Sequence, residues 1–422
     1  MGSHSKLRKS IYQNLLDLCT EEGITASSRE EIFGCIFGRD TALTVLKILR
    51  VHSKNPSLQL LETARKALLT MVALQGNTHN LESGEQPGKF IHEYRTERFE
   101  HLLILEKPWF VYPDGALKNY DSLDCTPLTL IAIYKYWQIT EDSQFLLSVL
   151  PAVEAGLNWL LSCGDLDQDG LVEYNLPKRA HGGLVVQSWT DSHESIRQAD
   201  GFFPKYPIAP VEVQAFAWLA LWLWAHYFEL KSPKFAKLLQ KSAQKLKKAF
   251  NKKFIINDKK LYYGAQALDG DKKPIKTITG NPLLCLWATL EKNGRRECIL
   301  EGSYIGDFVA RAFKKDLFDP EAGIRTMSTK SPTFNPNQDC YHNGSFWPIL
   351  NGLIHEGLEI WGFAKEAKKL KQASLKAILY FGTPLELYIK NGQGLLEYQS
   401  PTGQQGCRVQ AWSAAATLDL IT

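Results

Sequence analysis

The chain has 422 residues, of which 44% are hydrophobic, 22% are charged and 11% are aromatic. This composition is typical of a globular protein that buries a sizeable core, and it excludes intrinsic disorder, collagen and coiled coil. The 49 Lys and Arg residues exceed the 45 Asp and Glu residues by only four charges. Such a small excess argues against a nucleic-acid-binding protein.

The sequence also indicates where the protein works. Residues 1–5 lack the charged and then apolar pattern of a signal peptide, and we interpret them as a remnant of an expression tag. The most apolar stretch, 215–228, is shorter than the roughly 18 residues of a membrane span and contains His226. The eight cysteines form no CxxC pair, which favours reduced thiols. We therefore expect a cytoplasmic protein with neither a membrane nor a nucleic-acid partner.

Helical periodicity dominates the chain and β-type alternation is nearly absent, so we predict an all-α fold. The stretch 211–228 is apolar nearly all round, whereas 232–253 carries one charged face. An inner helix needs the first pattern and an outer helix the second. Two layers of such helices predict an (α/α)6 barrel of six hairpins; an α-solenoid is the alternative, but no fixed repeat supports it. The predicted helices span 7–18, 40–52, 57–75, 124–139, 143–163, 209–229, 232–253, 281–292, 301–314, 344–361, 363–380 and 409–421.

No linker rich in Pro, Ser or Gly interrupts the chain, so we predict one domain over residues 6–422. Several segments between the predicted helices are long, and long structured loops in a compact domain usually carry function. Trp, Tyr, His, Asp and Glu collect in these segments. They span 76–123, 164–208, 254–280, 315–343 and 381–408.

Two of the long loops contain a carboxylate beside aromatic residues. Asp191 follows Trp189, where partial desolvation would raise a carboxyl pKa as a general acid requires. Alternatively, Asp191 caps the short stretch after it. Glu397 lies in a glycine-rich loop that leads to Trp412, and its alternative role is a solvated loop acid. Two carboxylates on separate loops that face one pocket are the equipment for glycoside hydrolysis.

Two further clusters come just before predicted helices. In the segment 37–41, Arg39 is a candidate to bind sugar hydroxyls, or else to form a structural ion pair with Asp40. The segment 341–348 combines aromatic rings with hydrogen-bonding side chains. Aromatic rings stack on the CH faces of sugars, although a packed turn between loop and helix is the alternative.

Taken together, these segments resemble the glucosidase domain of glycogen-debranching-type amylo-alpha-1,6-glucosidases, within the wider clan of (α/α)6-barrel inverting glycosidases. The matches occur in the family's order along nearly the whole chain. They are residues 37–41 (FGRDT), 86–95 (QPGKFIHEYR), 121–128 (DSLDCTPL), 187–192 (QSWTDS), 207–214 (PIAPVEVQ), 341–348 (YHNGSFWP) and 397–413 (EYQSPTGQQGCRVQAWS).

The resemblance implies an inverting glycoside hydrolase in which Asp191 is the general acid and Glu397 is the general base. It also implies that catalysis requires no cofactor and that residues of the matched segments hold the sugar. The implied substrate-binding residues are Phe37, Arg39, Asp40, Glu93, Asp124, Trp189, Glu212, Gln214, Tyr341, His342, Asn343, Trp347, Tyr398 and Trp412.

The implied substrate is an α-glucoside, either α-1,6-linked or a short oligosaccharide, cleaved at its terminal sugar. Residues 347–351 read WPILN where WPHDN is common in the family, and this departure favours a small α-glucoside over a long polymer. One alternative is a hydrolase of a compact glycoside such as glucosylglycerate, mannosylglycerate or trehalose. A non-catalytic carbohydrate-binding protein and a sugar phosphorylase are the others.

An acidic segment and a basic segment stand apart from these motifs. The acidic segment, 165–173, has oxygen ligands at positions 1, 3, 5 and 9 of a calcium loop. However, Leu176 stands at position 12, where an EF-hand has a bidentate Glu. Clan relatives hold a structural calcium in such a loop, so the resemblance implies Ca²⁺ here, with a solvated acidic turn as the alternative. The basic segment, 231–260, is interpreted as a solvated outer helix rather than a site for an anionic partner. The implied calcium ligands are Asp165, Asp167, Asp169 and Glu173.

Overall fold

The structure is a computed structural model that describes residues 2–292 and 294–422, with side chains from residue 6 onward. Helices form most of the regular structure of these residues. They are α1 (Gly2–Asp17), α2 (Gly38–Lys54), α3 (Leu58–Ala73), α4 (Glu100–Leu103), α5 (Cys125–Thr140), α6 (Ser143–Ser162), α7 (Val211–Phe228), α8 (Pro233–Lys253), α9 (Leu284–Trp287, after a 3₁₀ turn at Asn281–Leu283), α10 (Gly302–Ala312), α11 (Pro348–Ile360), α12 (Ala364–Phe381) and α13 (Ala411–Ile421).

Six of these helices form a closed inner ring. In ring order α2 contacts α5, α5 contacts α7, α7 contacts α9, α9 contacts α11, α11 contacts α13, and α13 returns to α2. The outer helices α3, α6, α8 and α12 pack on α2, α5, α7 and α11, while α1 packs on α13 and so pairs the two ends of the chain. The outer α10 packs on the 3₁₀ turn before α9. The predicted all-α (α/α)6 barrel is therefore confirmed.

The sequence of each helix explains the layer that it occupies. Nearly every residue of α7 is buried, because other helices and loops surround it. In α8 the buried residues Ala236, Leu239, Ala243, Leu246 and Phe250 recur every three or four positions and form one stripe. Most of the lysines of α8 lie outside this stripe and are exposed. The two patterns therefore separate inner from outer helices, as predicted.

Short strands in the loops were not predicted, because two to four residues are too few to show a period of two. The sheet β3-β4-β5 fixes the chain just before α2, and the hairpin β15-β16 pairs Tyr388 with Glu397. The strands are β1 (Cys19–Thr20), β2 (Gly23–Ile24), β3 (Ile36–Phe37), β4 (Glu93–Arg95), β5 (Leu117–Asn119), β6 (Ala209–Pro210), β7 (Ile255–Asp258), β8 (Leu261–Gly264), β9 (Ala267–Leu268), β10 (Pro274–Ile275), β11 (Leu290–Lys292), β12 (Arg295–Glu297), β13 (Phe318–Asp319), β14 (Gly323–Ile324), β15 (Tyr388–Asn391) and β16 (Gly394–Glu397).

Two predicted helices have different bounds in the structure. The helix predicted over 281–292 ends at Trp287, because the carbonyl of Leu286 accepts from Thr289 Oγ1 at 2.7 Å and from Trp361 Nε1 at 3.2 Å. These side chains replace the backbone donor that would continue the helix. The helix predicted over 344–361 begins only at Pro348, since a proline disfavours helical conformation at the residue before it.

The structure bears on two expectations from the sequence, namely the lack of a membrane span and the expression-tag remnant at residues 1–5. Helix α6, rather than the stretch 215–228, is long and apolar enough to cross a membrane by length and composition. Because α6 packs on α5 and α3 as part of the barrel, this is weak support for a membrane span. Of residues 1–5, Met1 lies outside the described residues and Gly2 begins α1, so their assignment as a tag remnant stays a prediction.

Candidate active site

A pocket lies where inner helices begin. Arg39 and Asp40 are in the first turn of α2, Trp347 precedes α11, and Gln410 precedes α13. Because the N-terminal end of a helix is electropositive, this end of the barrel favours acidic side chains and other electron-rich groups. The pocket encloses about 50 Å³. Its lining residues are Phe33, Phe37, Arg39, Asp40, Trp189, Asp191, Tyr341, His342, Trp347, Glu386, Gln410 and Trp412.

Arg39 links three segments of the chain through hydrogen bonds at this pocket. Its side chain is 3% exposed, and Nε donates to Asp124 Oδ2 at 2.7 Å. The other guanidinium nitrogens donate to Asp191 Oδ2 at 2.9 Å and to the carbonyl of Ser188 at 2.9 Å. Burial alone would lower the pKa of Arg39, but the two carboxylates raise it well above its usual value. Arg39 is therefore a fixed cation that positions Asp191.

Asp191 combines burial with one strong ion pair. Its side chain is 23% exposed and lines the pocket. Burial raises the pKa of Asp191 above its usual value, although the hydrogen bond and positive charge of Arg39 oppose this rise. A carboxyl group whose pKa is raised holds its proton to higher pH, as a general acid must.

Glu386 is a second carboxylate of the pocket, and it comes from the segment between α12 and β15. The residue is 1% exposed; Tyr341 Oη donates to Oε1, and the backbone N–H of Cys407 donates to Oε2 at 2.8 Å. Burial raises the pKa of Glu386 to about 7, while these two hydrogen bonds lower it. Both oxygens are therefore oriented by fixed donors.

Aromatic rings form the walls of the pocket. The imidazole of His342 stacks on Trp347 with ring centres 4.9 Å apart and an interplanar angle of 14°. The indole of Trp189 stands edge-on to both rings at 5.6 Å, and Trp412 packs against Trp347 at 5.9 Å. Burial lowers the pKa of His342 well below its usual value, so this imidazole is neutral. Such walls suit the CH faces of a sugar ring.

Some polar groups at the pocket have no internal partner. Within the described residues, the buried atoms Trp189 Nε1 and His342 Nε2 make no hydrogen bond. Burial raises the pKa of Asp40 well above its usual value, and the carboxyls of Asp191 and Glu386 add to the rise. Because unpaired buried polar groups are costly, these positions favour a ligand with several hydroxyl groups.

Several predicted binding residues support the pocket from outside its lining. Asp124 orients Arg39, and Gln214 binds the backbone of Val172 through both ends of its amide. Asn343 donates to the carbonyls of Glu194 and Thr333 at 3.1 and 3.0 Å. Asp124 therefore positions Arg39, whereas Gln214 and Asn343 hold backbone segments outside the pocket lining.

The other predicted residues outside the lining are Glu93, Glu212 and Tyr398. Glu93 pairs with Arg95 on β4, and Tyr398 packs edge-on to Tyr341 at 5.1 Å. Glu212 is fully buried in the first turn of α7, and burial raises its pKa to about 8. It is therefore mostly neutral at neutral pH, and it lies outside the set of residues that line the pocket.

Glu397, the general base implied by the resemblance, ends strand β16. Its carboxylate pairs with Arg408, and its side chain is 32% exposed. Its backbone carbonyl accepts from Gln338 Nε2 at 2.8 Å. Glu397 is not among the residues that line the pocket, and its role as base stays a prediction.

Sequence reasoning missed Phe33, Glu386 and Gln410. Glu386 lies within the long segment 381–408 that was flagged as functional, but Glu397 lies in the same segment and carries the motif match. Gln410 falls inside the last motif, where its amide accepts from Trp412 Nε1. The signal for Glu386 was an acid between apolar residues, Leu385 and Leu387, which predicts burial.

The predicted calcium loop brings its carboxylates together. Oxygens of Asp165, Asp167 and Asp169 lie within 4.8 Å of one another. However, Lys272 Nζ lies 3.0 Å from Asp167 Oδ2 and 3.5 Å from Asp169 Oδ2, and it also contacts Glu173. An ammonium group in this position competes with a cation for the same oxygens, and calcium binding here stays a prediction.

The sequence matches a known protein family over most of its length. Residues 69–419 match the family model described as amylo-alpha-1,6-glucosidase. No curated protein matches the sequence at a significant level.

Solved structures of glycosidases share the fold over nearly the whole chain. The GH63 mannosylglycerate hydrolase of Thermus thermophilus in complex with Tris is 16% identical, with a TM-score of 0.63 over 98% of this chain and 99% of its own. The same enzyme in complex with glucose gives a TM-score of 0.65 at 16% identity and the same coverage. A glycosidase variant in complex with glucose is 12% identical, with a TM-score of 0.62 over 99% of this chain and 96% of its own.

Proposed function

Because the chain belongs to the amylo-alpha-1,6-glucosidase family of glycoside hydrolases, we propose that it removes the terminal glucose of a small α-glucoside with inversion of configuration. The observation that carries this proposal is the presence of Asp191 and Glu386 in one pocket with aromatic walls. Inverting glycosidases use one carboxyl group to protonate the leaving oxygen and another to activate water.

Asp191 acts as the general acid in this proposal. Arg39 fixes its Oδ2, and burial favours its protonated form, so a proton is available for the glycosidic oxygen. The resulting charge on the sugar develops beside the rings of Trp189 and Trp347. Bond cleavage leaves Asp191 ionised next to the Arg39 guanidinium, which stabilises that state.

Glu386 is our choice for the general base, on geometric grounds. It lines the pocket, and Tyr341 and Cys407 orient its two oxygens through hydrogen bonds that favour the carboxylate. A general base must lie within reach of the attacking water, and geometry therefore takes precedence over resting pKa. Glu397 is the alternative base, supported by its motif but paired with Arg408 outside the pocket lining.

The shape of the pocket supports action at a chain end. Its volume of about 50 Å³ is well below the roughly 300–1,000 Å³ of ordinary ligand sites. Such a confined space favours a single terminal residue over an internal stretch of polysaccharide.

The test is proton NMR of the anomer first released from isomaltose, panose and maltose. We expect β-glucose at early times and no release by Asp191→Asn. Asp200→Asn is the matched control, because Asp200 is an exposed acid on the same long segment. Initial α-glucose would overturn inversion, and binding of these sugars without turnover by the wild type would favour a carbohydrate-binding protein instead.

A second candidate is a hydrolase of a glycoside of glycerate. The mannosylglycerate hydrolase of Thermus thermophilus matches this chain from end to end, with 99% of its own length covered. In this variant of the proposal the same carboxylates act and the aglycone is an acid. Release of glycerate from mannosylglycerate or glucosylglycerate, with no action on isomaltose, would select this candidate over the small α-glucoside.

A further inference from the structure

A second cavity lies at the same end of the barrel, between the segment 79–89, the end of α6 and the segment 173–177. Its volume of about 370 Å³ is within the range of small-molecule sites. Within the described residues, it shares no lining residue with the candidate active site. The proposed chemistry does not account for it.

A buried cation forms one side of this cavity. Lys89 is 5% exposed, and among the described residues its Nζ has only a long contact, 3.5 Å, to the carbonyl of Gly84. Burial lowers the pKa of Lys89 to about 8, and the nearby Asp121 opposes this change. The ammonium group is therefore mostly charged at neutral pH, with donors to spare. A buried charge without a close partner is costly unless a ligand pairs with it.

Two other lining residues contain polar atoms that also lack partners in the described part of the chain. Glu173 and Tyr174 are buried and line the cavity. Glu173 Oε2 binds Lys272, but Oε1 has no hydrogen bond within the described residues, and neither does Tyr174 Oη. Both atoms are shielded from solvent, so a ligand hydroxyl group reaches them only when the surrounding side chains move; Oε1 can then accept a hydrogen bond and Oη can donate one.

An indole ring also lines the cavity. Trp159 Nε1 donates to Gln86 Oε1 at 2.7 Å, which fixes the ring, and Lys89 Nζ is 5.6 Å from the ring centre. A cation, hydroxyl partners and an indole face together match the three chemical features of a sugar acid, namely its carboxylate, its hydroxyl groups and its CH face.

We propose that this cavity is a second binding site, for one sugar-acid residue such as a hexuronate. The carboxylate pairs with Lys89, a hydroxyl group donates to Glu173, and the ring lies against Trp159. This inference does not rest on the glucosidase proposal, because hydrolysis depends on Asp191 in the other pocket.

Cys163 allows the test to be localised, since it lines the cavity and is half-buried. The experiment measures the rate of its alkylation by iodoacetamide, by peptide mass spectrometry, with and without D-glucuronate. We expect glucuronate to slow alkylation of Cys163 at least about fivefold, whereas equimolar D-glucose does not. Cys19 is the internal control, because it is also half-buried and lies outside the cavity.

Substitutions distinguish the contribution of the Lys89 charge from that of the shape of the cavity. Lys89→Met should abolish the protection of Cys163, while Lys241→Met, which removes an exposed lysine on α8, should leave it unchanged. If Lys89→Met does not fold, Asn175→Trp, at an exposed lining position, should remove protection by filling the cavity. Equal protection by glucose, protection that survives Lys89→Met, or no protection of the wild type would each overturn the proposal.

Discussion

At the scale of single residues, the candidate active site depends on how Arg39 distributes its donors. One guanidinium group reaches Asp124, Asp191 and the carbonyl of Ser188, which belong to segments far apart in the chain. A lysine ammonium group cannot reproduce this planar arrangement of donors. The hydrogen bond from Arg39 therefore helps to fix the position of Asp191, together with the loop that carries it.

The roles of the two candidate bases can be separated by matched substitutions. We expect Glu386→Gln to lower kcat about 10²- to 10⁴-fold, because it removes a carboxylate that lines the pocket. Glu397→Gln should lower kcat less than about tenfold, since it mainly disrupts the pair with Arg408. The measurement is steady-state hydrolysis of the substrate identified by NMR, with thermal unfolding to verify folding. The reverse order of effects would establish Glu397 as the base.

The pH dependence follows from the carboxyl groups of the pocket. Hydrolysis requires that the pair of Asp191 and Glu386 carry one proton, which the two carboxyls share, and the form with the proton on Asp191 is the reactive one. Burial raises the pKa of Glu386 to about 7 and also raises that of Asp191. Below a raised pKa the proton is retained, and above it the pair loses its last proton. We expect kcat/KM for a neutral glucoside to fall as pH rises through about 7. A profile that still rises at pH 9, or is flat, would contradict this assignment.

At the scale of helices, an ionic cluster joins three members of the inner ring. On α2, Lys47 is buried and lies 2.6 Å from Glu356 of α11 and 3.0 Å from Asp419 of α13. Arg50 and Lys54 of α2 also bind Asp419, at 3.0 and 2.7 Å. The cluster lies in the closing contacts of the ring, where a mismatch of register would leave charges buried and unpaired.

Asp419→Ala should therefore destabilise the fold strongly. The loss of this partner leaves Lys47 buried with one acid fewer, and breaking a buried pair costs about 3–5 kcal/mol. Urea unfolding measures the change, and Glu62→Gln, an exposed acid on α3, is the matched control with an expected change below about 0.5 kcal/mol. An Asp419→Ala effect as small as that of the control would show that the cluster contributes no net stability.

The carboxyl group of Asp419 also makes the stability of the fold depend on pH. Although burial opposes it, the neighbouring Lys47, Arg50 and Lys54 hold the pKa of Asp419 well below its usual value. A depressed pKa gives stability that is present above the unfolded-state value of about 3.9 and is lost as pH falls below it. Asp419→Ala should therefore lose less stability than the wild type when the pH is lowered from about 5 to 3.

At the scale of the whole molecule, the barrel closes where α13 packs on α2. Helix α13 is nearly all buried and contacts α1, α2 and α11. Because the ring is closed, helices that are distant in sequence, such as α2 and α13, pack against each other. Helix α13 is thus part of the core rather than an appendage to it.

Removal of residues 411–422 should accordingly abolish cooperative unfolding of the entire domain. The deletion exposes the apolar faces of α2 and α11 that α13 covers, and these faces belong to one continuous core. Loss of a single sharp transition in circular dichroism on heating, together with rapid proteolysis, would verify this expectation. A variant that lacks only Thr422 is the control, and a truncated chain that melts as sharply would contradict it.

The sequence alone determined the architecture and most of the pocket. Helix periodicity separates α7 from α8 because an inner and an outer helix contact different amounts of apolar surface, which is a local property of each segment. The motif positions of Arg39, Asp191 and His342 also fall together in one pocket of the structure, although their role in binding or catalysis stays a prediction.

The tertiary structure decided what depends on contacts between distant segments. It brought Glu386 to Tyr341 and Cys407 in the pocket, turned Glu397 toward Arg408, and ended the helix at Trp287 through the side chain of Trp361. It also left Lys89 facing a second cavity without a close acceptor. The orientation of a carboxylate and the partner of an ammonium group depend on distant atoms that folding brings within a few ångströms, and no local pattern of residue types encodes that placement.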